Sequence, residues 1–334
     1  MRGKELSFEE REEVSRHVSG GLSMRETGRR LGRDVSVVSR EIARNGGRGA
    51  YRAVGAQARA DGLVARPKSY KLLECRRLHD AVNAGLAKRW SPEQISARLV
   101  VDHPSDRELR VSHETIYECL YLQARGQLRT ELKLALRRGR FYRKPRGSSR
   151  TKVARIAGMV NISERPAEAA DRAVPGHWEG DLIIGKGGGS QVATLVERTT
   201  RFTMILRVPH DRTADRVALI LARAMSALPE ALRRSLTWDQ GVEMAAHNKF
   251  RVATDIPVYF CDPHSPWQRG SNENTNGLIR EYYPKGTNLS PFCQVDLDQV
   301  ADSLNGRPRE TLGWKTPAEK LEELLRSAGV ALTA

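Results

Sequence analysis

The sequence predicts a helical front half joined by a basic linker to a mixed α/β domain. Three observations lead there. Residues 6–46 carry the start and stop signals of three short helices. From residue 177 onward, apolar runs bounded by turn residues alternate with amphipathic stretches. The charge is also uneven: residues 1–170 hold 36 Lys+Arg against 20 Asp+Glu, and residues 171–334 hold 20 against 20. The whole net charge of +16 therefore sits in the front, the pattern of nucleic-acid-binding modules followed by a near-neutral globular domain. A basic membrane-surface protein would need a long amphipathic basic helix with aromatic anchors, and the sequence has none. The 334 residues suit two or three domains.

Phe8 to Val18 reads as the first helix, stopped by Gly20 and Gly21. Ser23 opens S-x-x-E with Glu26, a capping box that satisfies free amides at a helix start. That helix sets Met24, Gly28 and Leu31 on one face and ends at Gly32, while Asp34 caps a third with Val35, Val38 and Ile42 as its buried stripe. This is a helix-turn-helix pattern. Its last helix leaves Ser36, Val37, Ser39, Arg40 and Arg44 outward, suited to base edges and phosphates in a major groove. A second such unit is expected at 90–122. Trp90-Ser91-Pro92 starts a helix with Ile95 and Leu99 inward, and Ser112 caps another with Ile116 and Leu120 inward. The connection DHPSDRELR is long for the simplest helix-turn-helix. His113 and Thr115, at the head of that helix, are carried as candidate DNA contacts, although a lone His is more often a plain surface residue.

Residues 137–155 hold nine basic residues and no acid, beginning Arg137, Arg138, Arg140, Arg143 and Lys144. Such a run reads as a linker that tracks a phosphate backbone. Cys75, Cys119, Cys261 and Cys293 lie far apart without C-x-x-C spacing, and Cys261 with His264 makes only one C-x-x-H, so neither a disulfide framework nor structural zinc is expected. No apolar run reaches about 18 residues and the N-terminus lacks an apolar signal core, so the expected setting is the cytoplasm, on the nucleoid in a bacterium.

In the back half, 181–185, 191–197 and 202–208 read as a strand meander, followed by a helix at 213–228, a strand at 236–238, a helix at 243–254, a strand at 257–261 and a helix from Asn272. Two more helices, about 294–304 and 317–328, close the chain. Gly180, Gly185 and Lys186 match G-x-x-x-x-G-K, yet Gly187 stands where a phosphate loop needs Ser or Thr, and the strand lies inside the motif rather than before it. Nucleotide binding is rejected on those grounds.

Three acidic residues stand in three polar motifs: Asp181 in HWEGDLIIGK, Asp239 in LTWDQG and Glu273 in SPWQRGSNENTNGLIREYYPKGT. Each lies where an apolar element meets a polar segment, so the carboxylates can converge. Converging carboxylates suit a pair of Mg²⁺ ions, with Mn²⁺ a substitute, because hard cations take oxygen ligands. Two such ions clamp the attacking and leaving oxygens of a phosphodiester displacement. Trp267 and Arg269 precede the Glu273 helix and are candidate DNA contacts, with packing the rival role for Trp267. Trp178 is expected in the core, Glu179 is expected to point away from Asp181, and His264 and Arg280 are possible supporting or phosphate contacts.

These motifs, the 33 residues between Asp239 and Glu273, and RPRETLGWKTPAE resemble the insertion sequence thirty family of DDE transposases over nearly the whole chain. The resemblance implies an RNase H-like (retroviral-integrase-type) catalytic fold and divalent-metal strand transfer at inverted-repeat ends. It implies Asp181, Asp239 and Glu273 as the catalytic and metal-binding triad, and double-stranded DNA, both element ends and target, as partner. The expected division is 1–65 helix-turn-helix, 66–135 second helical unit, 136–170 basic linker, 171–290 catalytic domain and 291–334 helical extension. Joining two ends needs two active sites, so a dimer or larger on DNA is expected. A DNA-binding regulator explains the front half but not three acidic motifs, and a stand-alone nuclease explains the acids but not two DNA-reading units.

Overall fold

The computed structural model describes residues 5–65, 71–123, 156–172, 174–209, 213–263 and 265–327. They divide into two units, Met1–Ser69 and Tyr70–Ala334. The basic run 137–155 and His264 lie outside the described residues.

In the first unit, α1 (Phe8–Ser19), α2 (Met24–Leu31) and α3 (Val35–Arg44) form where the capping residues stand. Ser7 and Glu10 make a reciprocal capping box at α1. Ser23 accepts from the Glu26 amide, while the Glu26 carboxylate turns to Arg29 and Arg30 instead of completing a box. Gly32 takes the left-handed conformation that ends α2 (φ 64°). A Cβ on Gly28 would lie 2.8 Å from the Arg33 carbonyl oxygen, so only glycine lets the turn close there. Beyond a single helical turn at Gly47–Ala50, a further long helix, α4 (Ala53–Ala65), was not apparent in the sequence; it supplies Ala56 to a core of Val14, Val38, Ile42 and Tyr51. Val35 is 43% exposed rather than buried, because its backbone, not its side chain, packs against Gly28.

After a single helical turn at Lys71–Glu74, the second unit continues with three longer helices, α5 (Arg76–Ala87), α6 (Pro92–Asp102) and α7 (His113–Gln123). Leu78, Val82, Ile95, Leu99 and Ile116 form their core, with Leu109 from the long connection folded in. Gly85 makes room for Ile95, since a Cβ there would meet Ile95 Cγ1 at 2.7 Å. This trio docks on the chain's last segment. Arg98 donates to Glu319 at 2.6 Å and to the Trp314 carbonyl, and Gln94 donates to the Pro308 carbonyl. Glu319 lies on α12 (Pro317–Ser327).

The Arg98 hydrogen bond holds the Glu319 carboxyl below its ordinary value. A depressed folded-state value contributes stability above the unfolded value and loses it as pH falls through the folded one. Glu319→Gln is therefore expected to lower stability at pH 7 by at most about 1 kcal/mol, discounted for its solvent exposure. The difference should begin to shrink near the ordinary carboxyl value of about 4.3 and be lost only at a lower pH, as the depressed folded-state value is passed. Urea denaturation at neutral pH and across that fall checks this, and a pH-independent difference would remove the ion pair as its cause.

The remainder is a six-stranded mixed sheet in the order β1-β6-β5-β2-β3-β4. Its strands are β1 (Val160–Asn161), β2 (His177–Ile184), β3 (Gln191–Glu197), β4 (Thr203–Val208), β5 (Ser235–Trp238) and β6 (Val258–Phe260). β2, β3 and β4 form the antiparallel meander, β5 and β6 continue in parallel beside β2, and β1 adds a parallel edge. Apart from β1, this is the RNase H-like arrangement. Side chains alternate across the sheet, and the two cores follow that alternation. Trp178, Ala193, Leu195, Leu236 and Trp238 face α8 (Ala214–Ser226) and α9 (His247–Thr254). Ile183, Val192 and Ile205 face α10 (Gly270–Tyr282) and α11 (Gln294–Asn305). α11 packs on the sheet, against β4. Among the described residues no helix is long and apolar enough to cross a membrane.

Candidate active site

β2 and β5 run parallel with Trp178 beside Leu236 and Glu179 beside Thr237. One residue further, Gly180 meets the ring of Trp238, where a Cβ would lie 2.0 Å from Cζ3. Glycine at 180 is the space in which the buried indole lies. Two residues beyond Glu179 and Thr237 stand Asp181 and Asp239, abreast and on the opposite face from that indole. Asp181 sits in the middle of an eight-residue strand that starts at His177, not at its head. Gly180 to Ile184 is strand and Gly185 turns into a hairpin, so the G-x-x-x-x-G-K match is not a phosphate loop.

Both carboxylates meet one guanidinium. Arg269 lies 3.4 Å from Asp181 Oδ1 and 3.1 Å from Asp239 Oδ2, and also donates to the Gly180 carbonyl at 2.8 Å. Asn276 donates to Asp181 Oδ2 at 2.8 Å, fixing the second oxygen. Burial pushes the Asp181 carboxyl above its ordinary value, Arg269 pulls it down, and the neighbouring charge of Asp239 pushes it up again. Glu273 is exposed on the first turn of α10. Residues 269, 273 and 276 follow the i, i+4, i+7 spacing of one helix face, and the outer two both bond Asp181.

Do these residues fit a divalent cation? Asp181 and Asp239 are hard oxygen donors, and they already share one positive charge, the guanidinium of Arg269. Among the described residues, no group of three acidic, His or Cys side chains stands close enough to hold a metal ion in this arrangement. The pair fits a cation in place of the guanidinium, with Glu273 on the adjoining stripe of α10.

Glu179 corrects the expectation made for it. Residues two apart on a strand share a face, so Glu179 points the same way as Asp181. It is fully buried, accepts from the Asn272 amide at 3.0 Å and lies 3.5 Å from Arg198. Asn272 also donates to the Glu179 carbonyl, which ties the head of α10 to β2. The Thr194 hydroxyl, beside Asp181 on β3, lies within 3.3 Å of the Asp181 carbonyl and of the side-chain oxygens of Asn272 and Asn276, and its single proton goes to one of them. Sequence reading missed this polar lattice. Its signal was the run Asn272 to Asn276, too polar for a helix face with no partner. Glu243 was missed as well. It approaches Trp238 Nε1 at 3.5 Å, and burial pushes its carboxyl up, an effect to which the charges of Asp239 and Asp181 add.

The other singled-out residues are placed as follows. Trp178 is fully buried, as expected. Trp267 is 72% exposed, so packing does not hold it. Arg280 donates to the Ile184 carbonyl at 3.2 Å, anchoring α10 to the end of β2. His177 is buried against Ser235, and burial pushes its imidazole down. In the first unit, Ser36, Arg40 and Arg44 are exposed and Ser39 half-buried, and the Arg40 guanidinium rests on Ser36. His113 is exposed with its ring edge against Tyr117, and the Thr115 hydroxyl pairs with Ser112 in the α7 cap. All four cysteines are free.

Residues 171–266 match the integrase core domain family, and residues 2–45 match a helix-turn-helix domain family. These are DNA-acting domains, and integrase-type cores work with divalent cations. The chain is 46% identical over 324 residues to the transposase for insertion sequence element IS1086 of Cupriavidus metallidurans, covering 96% of this chain and 95% of that one. It is 45% identical over 333 residues to transposase InsI for insertion sequence element IS30A of Escherichia coli, covering 98% and 85%. Among solved structures, the catalytic core domain of BIV integrase aligns with a TM-score of 0.36 at 19% identity, over 46% of this chain and 97% of that chain. With relatives this similar along almost its whole length, the chain belongs to the insertion sequence thirty (IS30) family of transposases.

Proposed function

We propose that this chain binds the inverted-repeat ends of a mobile element and cuts and joins DNA through Asp181, Asp239 and Glu273. One observation carries the reading. Asp181 on β2 and Asp239, one residue past the end of its parallel neighbour β5, stand abreast around a single positive charge, and Glu273 lies on the α10 stripe between the two residues that bond Asp181. Two Mg²⁺ ions held by these three carboxylates, with Mn²⁺ a substitute, would activate water or a DNA 3′-hydroxyl and stabilise the leaving oxygen. The protein's part is positioning. Asn276 orients Asp181, and Asn272 with Glu179 fixes where α10 begins. Trp267, exposed just before α10, lies against the DNA strand. Ser36, Ser39, Arg40 and Arg44 read the element ends, His113 and Thr115 add contacts from the second helical set, and the basic run from Arg137 to Lys144 follows phosphates. The working form is a dimer or larger on DNA, since two ends are joined.

The test is metal-dependent joining of an end-bearing oligonucleotide into a target duplex. Joined product is expected. Binding alone would make the chain a regulator, and cutting alone would make it a nuclease.

Arg269 supplies a second measurement. With Arg269→Gln the metal-free protein keeps two adjacent carboxylates without their counter-charge, so it should be less stable by about 1–3 kcal/mol. Adding Mg²⁺ should then raise its melting temperature more than it raises that of the unchanged protein. An equal response in both proteins would remove Arg269 as a stand-in for the cation.

A further inference from the structure

The segment 307–319, RPRETLGWKTPAE, takes no part in the carboxylate site, yet it joins the α5–α7 set to the helix that carries Glu273. On one side it holds α6. The Pro308 carbonyl accepts from Gln94, and the Trp314 carbonyl and Glu319 carboxylate accept from Arg98. On the other side it holds the tail of α10. The buried Arg307 donates to Glu281 at 2.8 Å and to the Tyr282 hydroxyl at 2.7 Å. A further contact links the two sides directly. The Arg89 guanidinium, from the turn between α5 and α6, lies over the Tyr282 ring, 4.7 Å from its centre, and that of Arg307 lies 5.4 Å from it. The Tyr282 hydroxyl also pairs with Ser303 of α11 at 2.6 Å, which fixes the ring.

The backbone at Arg89 shows what its side chain is for. The Trp90 amide donates to the Gly85 carbonyl and the Arg89 amide to the Leu86 carbonyl, the pairing of a helix end whose left-handed residue is usually glycine. Here arginine takes that position, with φ 58°. Trp314, whose carbonyl Arg98 reaches, is left-handed as well, with φ 66°. Such conformations cost energy in a residue with a Cβ and persist where the surroundings fix them. Glycine would serve the end of α5 better; what arginine adds is a cation over an aromatic face. α10 is in turn tied to β2 by Asn272, Asn276 and Arg280. Whatever is held to the tail of α10 is therefore held to Asp181 too.

We propose that Arg89, Tyr282 and Arg307, with the Arg98–Glu319 pair, are positioning residues that lock α5–α7 to α10 and so set where DNA held by α7 meets the carboxylates. None of them touches the reacting atoms. The inference rests on the transposase reading, which supplies the DNA. Tyr282 and Glu273 stand nine residues apart on α10, about 13.5 Å at a helical rise of 1.5 Å. A shift of the α5–α7 set by about 3.4 Å, one nucleotide along a strand, would present a different phosphodiester to the same carboxylates. The lock thus fixes which bond is cut.

The experiment uses the full chain with Cys75→Ser, spin-labelled at the exposed Cys293 and at Val101→Cys on α6. Electron spin resonance reads the distance between the labels without DNA. Cleavage and joining of an end-bearing oligonucleotide are read beside it, with the cut mapped to the nucleotide. The variants are Arg89→Gly, alone and with Glu319→Gln, and Arg89→Lys. The unchanged chain should show one narrow distance and one cut position. The double variant should show a broader distance, joining slower by about tenfold, as for loss of a cation–π contact and an ion pair, and cuts spread over neighbouring nucleotides. Arg89→Gly alone should melt within about 3 °C of the unchanged protein, since glycine suits that backbone. Arg89→Lys, which keeps a cation over the ring, should lie nearer the unchanged chain than Arg89→Gly does. An unchanged distance in the double variant overturns the proposal. So does a broadened distance with unaltered rate and cut position, which would leave the contacts a purely structural role. Equal behaviour of Arg89→Lys and Arg89→Gly overturns the part given to Arg89. Failure of the unchanged protein to cut or join would count against the transposase reading, and the distance would still decide whether the lock exists.

Discussion

Replacing Asp181 with Asn, Asp239 with Asn or Glu273 with Gln is expected to abolish both strand cleavage and joining while end binding stays near normal. Each change keeps the shape of the side chain and removes a charged oxygen ligand. Metal stabilisation of transition-state charge is worth several kcal/mol, and about 4 kcal/mol corresponds to roughly a thousandfold in rate. A loss of at least about a thousandfold is the expected reading on an oligonucleotide carrying an element end. Binding should survive because the helix-turn-helix residues belong to the first unit, Met1–Ser69, and the carboxylates to the second. Gel-shift titration beside the cleavage assay separates the two. Near-normal cleavage in any one variant would strike that residue from the triad. Glu273 carries the greatest risk, since its side chain is exposed while the two aspartates already share Arg269.

Gly180→Ala should be the most damaging single methyl group in the catalytic domain. A Cβ there would overlap the Trp238 ring at 2.0 and 2.3 Å, and Trp238 is fully buried. Either the indole turns out of its place or β2 moves off β5. Overpacking of this kind costs about 1–3 kcal/mol, occasionally more. Function should fall further than stability does, because Asp181 and Asp239 are the residues next to the two that collide. The expected result is a lowered urea midpoint together with slower joining at a temperature where the variant is still folded. Wild-type joining by a destabilised variant would mean that the spacing between β2 and β5 does not set the carboxylates.

Arg269 and Glu179 show where local reading stops. As a cation before a helix, Arg269 reads locally as a DNA contact. Its placement between two aspartates depends on β2, β5 and α10 meeting, and these come from residues about 30 and 90 positions apart. Strand alternation alone puts Glu179 on the face of Asp181, yet its partners, Arg198 and Asn272, become neighbours only through the sheet and the helix laid over it.

What the sequence determined by itself was what local chemistry encodes. Ser7, Ser23, Asp34 and Ser91 start helices wherever they stand, because capping satisfies nearby amides. The meander followed by alternating helices and strands was readable from apolar periodicity, and the three acidic motifs from their spacing. α4 and β1 were not readable, one for want of an amphipathic pattern and the other for being two residues long. Only the tertiary structure decided that Gly180 makes room for Trp238, that Asp181 and Asp239 stand abreast, and that Arg269 lies between them. The physical reason is that register and counter-charge are properties of pairs. A strand's sequence says which side chains share a face, but only its neighbours decide what that face meets.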